Sequence, residues 1–253
     1  IAYLFTGEFE RADQLFEQAI ELLDRVGDTI AKSHALFNRG VLALNGRDIS
    51  RAQTLMREAR RMKEAEGTSW ALFDLRNHLA ITAMWLGDWT EAEQILDETL
   101  EGVDEGGTDE DRTVARSLLG LLRCFESRLQ LAALELGRAR ADAEDLGLVR
   151  VEAFCQANAA FYAKLTEADS TFESSFEQFK DARVFNTLHR AVWLDFIEAM
   201  AQHAVEAERD RQSVRLLRTV AVFFERFGRQ DAADELVEQA TELDAQLEAR
   251  RTR

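Results

Sequence analysis

Histidine and cysteine are the residues of this chain best suited to metal or nucleophile chemistry, and their spacing supports neither. His34, His78, His189 and His203 are dispersed. None has a histidine or cysteine three or four residues away, the spacing that would put two ligands on one helix face. Isolated histidines of this kind read as groove or core residues. Cys124 and Cys155 share no metal-type spacing, and two thiols in 253 residues make no disulfide framework. Both read as small core residues of a cytoplasmic protein. The acidic stretch "EGVDEGGTDEDR" (101–112) invites a calcium site. It lacks the Asp-x-Asp-x-Asp-Gly run, with glutamate at the twelfth position, on which calcium loops depend. There is no Gly-x4-Gly-Lys phosphate loop, no dinucleotide glycine motif and no His-Glu-x-x-His. The sequence thus offers no catalytic, cofactor-binding or metal-binding residue, and no enzyme is expected.

The elements available to position anything else are helices. Alanine, leucine, glutamate and arginine dominate, and there is no proline. These side chains lose little rotamer freedom in a helix. Apolar residues make up 46% of the chain, enough for a substantial core. Acidic residues outnumber basic ones 47 to 31, for a net charge of −16. That balance opposes the basic footprint nucleic acid requires and disfavours anionic lipid. The local run "REARRMK" (57–63) reads as the solvated face of a helix. No apolar run is long enough to span a membrane, and "IAYLF" at the start has no basic leader.

A period organises the helices. Ala12, Ala52, Ala92 and Ala132 lie 40 residues apart. Phe16, Met56, Leu96 and Leu136 keep the same step, as do Ala19, Ala59, Thr99 and Ala139, and Gly27, Gly67, Gly107 and Gly147. A fixed step of this size marks a stacked array. Small, large, small at positions 0, +4 and +7 is a helical stripe, in which small residues admit a neighbouring helix and the large one fills the gap. The glycine column suits helix C-caps. Asp28, Thr68 or Ser69, and Thr108 or Asp109 are candidate caps for the next helix, whereas "LVRVEAF" has none. Gly7, Gly46 and Gly87 mark a second turn in each repeat, so the repeat is helix A, tight turn, helix B, looser turn.

"GEFERADQLFEQA", "RDISRAQTLMREA", "GDWTEAEQILDET" and "SRLQLAALELGRA" resemble the core of tetratricopeptide repeats. Gly40, Ala80 and Gly120 fall at that family's small helix-A position. The match is strong to residue 147 and weaker beyond, where Ala168, Phe172 and Ser175, then Ser213, Leu217 and Val220, continue it at altered steps. The step of 40 exceeds the usual value of about 34, and the closing proline is missing. Longer helices with glycine loops resemble the variant found in bacterial transcriptional regulators, large signalling ATPases and peptide-pheromone receptors.

The resemblance implies an all-α, right-handed superhelical solenoid of helix-turn-helix repeats, with A helices lining a concave groove. Repeats fall at about 1–27, 28–67, 68–107, 108–147, 148–185 and 186–228 of one domain, with a capping helix at about 230–250. The stripe Ala233, Leu236, Val237, Ala240, Leu243 and Leu247 gives that cap one apolar face. The family's geometry turns inward Phe37, Val41 and Asn45; Asn77, Ile81, Met84 and Trp85; and Ser117, Leu121 and Phe125, with His34 and Asp74 at the rim. Trp85 and Phe125 are the preferred anchors. No basic clamp for a terminal carboxylate is present at these positions. The expected function is a non-catalytic protein- or peptide-binding scaffold, the interaction region of a larger bacterial regulatory protein, with no cofactor. The alternative is a self-association module, dimerising through an N-terminal end whose first helix A is cut short. On that reading the chain is part of a longer array.

Overall fold

A computed structural model of the chain describes residues 9–67, 71–182, 187–207 and 210–251. Among the described residues there are 12 α-helices, one short 3-10 helix and no strand. The helices are α1 (Phe9–Val26), α2 (Thr29–Asn45), α3 (Ile49–Ala65), α4 (Leu72–Trp85), α5 (Trp89–Gly102) and α6 (Asp109–Phe125). Then come α7 (Leu129–Asp145), α8 (Val149–Leu165), α9 (Asp169–Asp181), α10 (Thr187–Ala207), α11 (Arg211–Arg226) and α12 (Gln230–Arg251). The chain divides into two compact parts between Ala115 and Arg116, within α6.

In the first part each helix from α1 to α5 packs on the next. Turn chemistry sets where they begin. Asp28, Asp48 and Asp88 each accept a hydrogen bond from the backbone N–H three residues on, at 2.9, 3.2 and 3.1 Å. Each satisfies one of the donors that a helix start leaves unpaired. Asp48 and Asp88 belong to the tight turns that Gly46 and Gly87 mark in the sequence. The left-handed residue of those turns is Arg47 (φ 65°) and Gly87 (φ 79°); Gly46 has φ −81°.

Between repeats, Gly27, Gly67 and Gly147 adopt the left-handed conformation expected of C-caps, with φ of 71°, 65° and 63°. Gly107 is different. Helix α5 ends at Gly102, and a 3-10 turn, Val103–Glu105, follows. A Cβ on Gly107 would lie 2.4 Å from Val103 Cγ2 and 3.0 Å from Phe73 Cδ2, so this glycine makes room for its neighbours. Thr108 then opens α6 in a capping box. Its Oγ1 accepts from Asp111 N at 3.1 Å, and Asp111 Oδ2 accepts from Thr108 N at 2.9 Å. Thr68 and Ser69 lie outside the described residues.

The small–large–small columns are core. Ala52, Met56, Ala59, Ala92, Leu96 and Thr99 are fully buried. The basic run on α3 is more than a solvated face. Arg57 donates to Glu91 at 2.6 Å and Arg60 to Glu98 at 3.0 Å, both on α5, while Arg51 reaches back to Asp13 on α1 at 2.8 Å. These pairs stitch alternate helices, and Lys63 at the end of the run is buried.

In the second part the step of 40 continues from Ala132 to Phe172, not to the Ala168 that the sequence pattern suggests. Ala168 is the residue that opens α9, as Arg128 opens α7, so it is not a buried column residue. Phe172, Phe176 and Phe179 therefore stand where Ala132, Leu136 and Ala139 stand one repeat earlier. The extra volume is matched by rings from elsewhere. Phe223 of α11 lies 5.7 Å from Phe172 and 5.8 Å from Phe176, and Trp193 of α10 lies 5.4 Å from Phe179. Helix α11 packs against α8, α10 and α12. The last helix closes this part by burying Ala233, Leu236, Ala240 and Leu243, while Val237 stays 47% exposed.

Candidate functional site

Helices α2 and α4 are the A helices of adjacent repeats, and they touch across α3. On α2, His34, Asn38, Val41 and Asn45 fall at i, i+4, i+7 and i+11, which is one stripe of a helix. All four are half-buried. Asp74, His78 and Ile81 occupy the same stripe 40 residues on and are also half-buried. The two helices meet where the His78 ring stands edge-on to Phe37, with centroids 5.2 Å apart. Asn38 Nδ2 and Asn45 Nδ2 each donate to the carbonyl four residues earlier, at 2.9 Å.

The polar groups of this face hold opposite tendencies. His78 Nδ1 lies 2.9 Å from the Asp74 carbonyl oxygen and 3.1 Å from Asp74 Oδ1. Burial pulls the His78 pKa down, but the Asp74 carboxylate and carbonyl, with Asp111 nearby, outweigh it and raise the pKa. His34 goes the other way. Burial lowers its pKa, and the Lys63 ammonium, 3.1 Å from its Nε2, lowers it further. Burial also lowers the Lys63 pKa, against the pull of Asp74.

Lys63 is the residue the sequence reading missed, and a signal for it exists. It continues the buried stripe Met56, Ala59, and its counterparts 40 and 80 residues on are Val103 and Ala143, both buried. A lysine in an apolar column brings its ammonium up to His34 from beneath. Beside it, Asn77 Nδ2 donates to the Asp111 carbonyl oxygen at 2.9 Å. Asn77 Oδ1 is buried with no hydrogen-bond partner among the described residues.

Residues 74–102, which comprise most of α4 and all of α5, match the family model described as tetratricopeptide repeat. Residues 74–102 thus carry a tetratricopeptide repeat. The matched pair of helices carries Asp74, His78 and Ile81 on its first member. Tetratricopeptide repeats generally mediate contacts between proteins. No curated protein matches the chain significantly.

Not every expected groove residue lies on the half-buried stripes of these helices. Phe37, Asn77, Met84 and Trp85 are buried, at 6, 2, 0 and 9% exposure. They sit one stripe round from His34, Val41, Asn45, Asp74 and Ile81. In the second part Ser117, Leu121 and Phe125 are buried as well. Asn158 Nδ2 donates to Ser117 Oγ at 2.9 Å and Asn158 Oδ1 accepts from Trp193 Nε1 at 3.0 Å, which ties α6, α8 and α10 together. Phe125 stacks on Phe161 at 5.1 Å, and Phe161 meets Phe223 of α11 at 6.1 Å. These three residues therefore serve the core of the second part.

Both thiols are sealed. Burial pushes Cys155 up to about 12 and Cys124 higher still. Among the described residues no His, Cys, Asp and Glu cluster could hold a metal, and no helix is long and apolar enough to cross a membrane.

Proposed function

We propose that the chain is a protein- or peptide-binding scaffold, the interaction region of a larger bacterial regulatory protein. The partner lies along the stripe of α2 and α4. The observation that carries this reading is the pairing of half-exposed Val41 and Ile81 with polar groups at fixed positions. Apolar residues supply anchors, and His34, Asn38, Asn45, Asp74 and His78 supply direction, the composition of a groove that takes a helix or peptide. Asn77 Oδ1 adds an unmet acceptor beneath it. Trp85 is too deeply packed to report on binding, because its truncation would cost core packing first.

The test uses a photo-crosslinking residue at position 41 in cells, with position 138 on the exposed face of α7 as control. A partner should crosslink at 41 and not at 138. Ile81→Lys should abolish that crosslink and leave helicity and melting unchanged, since the lysine stem can still cover its apolar neighbours. Equal capture at 138, or capture indifferent to Ile81→Lys, overturns the assignment.

A second reading, self-association at the N-terminal end, draws on α1 and the start of α2. Leu15, Leu22, Val26 and Ile30 are 47, 57, 73 and 48% exposed, more apolar surface than one helix end ordinarily leaves bare. "IAYLF" itself lies outside the described residues. Sedimentation equilibrium decides it: a dimer that Leu22→Lys converts to monomer supports association, and a monomer at high concentration removes it.

A further inference from the structure

A helix that packs by one face keeps the opposite face polar. Helices α3, α5 and α9 follow that rule, and α7 breaks it. Leu131 and Leu134 of α7 are 43 and 46% exposed, and Gly137 and Ala141 on the same side of the helix are exposed as well. At steps of 40 residues, Leu131 stands where Arg51, Glu91 and Thr171 stand, and Leu134 where Thr54, Gln94 and Ser174 stand. Gly137 falls in the column of Arg57, Asp97 and Glu177, and Ala141 in that of Arg61, Glu101 and Asp181. Four outward positions that are polar in the other repeats are thus apolar in this one. Glycine inside a helix weakens it, and no contact within the described chain accounts for Gly137, since nothing lies within 4 Å of a Cβ built there. Gly120 shows what such a glycine allows. A Cβ on it would lie 2.6 Å from Leu136 Cγ, so its absence lets a leucine of the neighbouring helix come close. Beside two exposed leucines, Gly137 offers the same socket to a helix from outside.

The face is complementary to itself once reversed. Its leucines lie toward the N-terminal end of α7 and its small residues toward the C-terminal end. Two copies of α7 crossing antiparallel at the level of residue 136 set Leu134 of each over Gly137 of the other, and Leu131 over Ala141. The same register brings Arg138 to Glu135 and Arg128 to Asp145, so opposite charges meet along the edge of the contact. Arg128 and Arg138 are 44 and 55% exposed, and Asp145 is exposed too. A parallel pair would instead set leucine on leucine and Arg138 on Arg138. We propose that the outer face of α7 binds a second copy of this chain in a closed, antiparallel two-fold contact. The contact uses none of the residues of the α2 and α4 stripe and none of α1.

Sedimentation equilibrium of the full chain should show a dimer. Leu134→Lys should raise its dissociation constant roughly tenfold or more, the effect of one leucine left unburied, with helicity unchanged because the position is exposed in the single chain. Leu22→Lys, on α1, should leave this dimer intact. Orientation is read from engineered thiols under mild oxidation with diamide, which the buried Cys124 and Cys155 do not disturb. Gly137→Cys lies next to the two-fold axis and should form a disulfide between copies. Gln130→Cys should not, because six residues from the axis on each copy separate the two thiols by about 18 Å. A product of two chains is also distinct in mass from a different protein captured at position 41. Three results overturn the proposal: a monomer at high concentration, a dimer that Leu22→Lys dissociates and Leu134→Lys does not, or disulfide formation at 130 as fast as at 137.

Discussion

His34 and His78 sit on neighbouring helices of one face, yet their surroundings push their protonation in opposite directions. His78 titrates above the ordinary value of 6.5 because Asp74 and Asp111 outweigh its burial. A group whose pKa is raised by folding adds stability below its unfolded pKa and loses that contribution as pH rises through the folded value. His34 titrates below 6.5 because burial and Lys63 disfavour its charge. Its contribution is complete above the unfolded pKa and is lost as pH falls through the folded value. In a ring-proton NMR titration, one signal should therefore move above 6.5 and lose its shift in His78→Gln. Another should move below 6.5 and rise in Lys63→Met. Coincident titration of both rings near 6.5 would overturn this account. Lys63→Met should also raise stability, by about 1 kcal/mol, since it returns an apolar group to an apolar column and the burial it relieves outweighs the lost attraction to Asp74. Chemical denaturation measures it, and a loss of stability would mean that the Lys63 contacts outweigh the cost of its burial.

The helix pair is the element on which this chain is built, and two glycines of successive helices show what it tolerates. Gly120 on α6 faces α7: a Cβ there would lie 2.6 Å from Leu136 Cγ and 3.1 Å from the Leu136 backbone nitrogen. Because backbone as well as side chain is in the way, Gly120→Ala should destabilise by about 1–3 kcal/mol. Gly137 on α7 is exposed, with nothing within 4 Å of a built Cβ. Gly137→Ala should stabilise by about 1 kcal/mol, the helix-propensity difference alone. Thermal melts of the two variants should thus shift in opposite directions. The same contrast explains what sequence could reveal. Columns filled by Ala52, Met56 and Ala59 were legible because small residues recur only where helices touch. Phe172, Phe176 and Phe179 broke the pattern because α10 and α11 bring in rings that change the shape of the gap, a long-range fact that no local spacing carries. Of the residues that the sequence places in a groove, His34, Val41, Asn45, Asp74 and Ile81 are half-buried. Phe37, Asn77, Met84 and Trp85 were not separable from them, because an A helix is apolar on adjoining stripes and periodicity alone leaves its rotation undetermined.

For the molecule as a whole the governing quantity is its charge of −16. Two electrostatic effects compete. Attraction is concentrated in seams such as Arg39 with Asp13 at 2.8 Å and Arg60 with Glu98 at 3.0 Å. Arg39 is only 13% exposed, so solvent and salt screen its pair weakly. Other pairs, Arg211 with Glu248 for example, are more than half exposed on both sides and contribute little at any ionic strength. Repulsion among the surplus carboxylates acts over longer distances. Raising salt from about 0.01 M to about 0.15 M shortens the screening length from about 30 Å to about 8 Å, which removes that repulsion first and leaves contacts near 3 Å largely intact. The folded chain holds its charges closer together than the unfolded chain does, so it gains more from screening. Sodium chloride over this range should therefore raise the melting temperature. A fall in melting temperature would mean that the ion-pair seams between repeats outweigh the net repulsion, and that the array depends on its charge pairs more than on its buried columns.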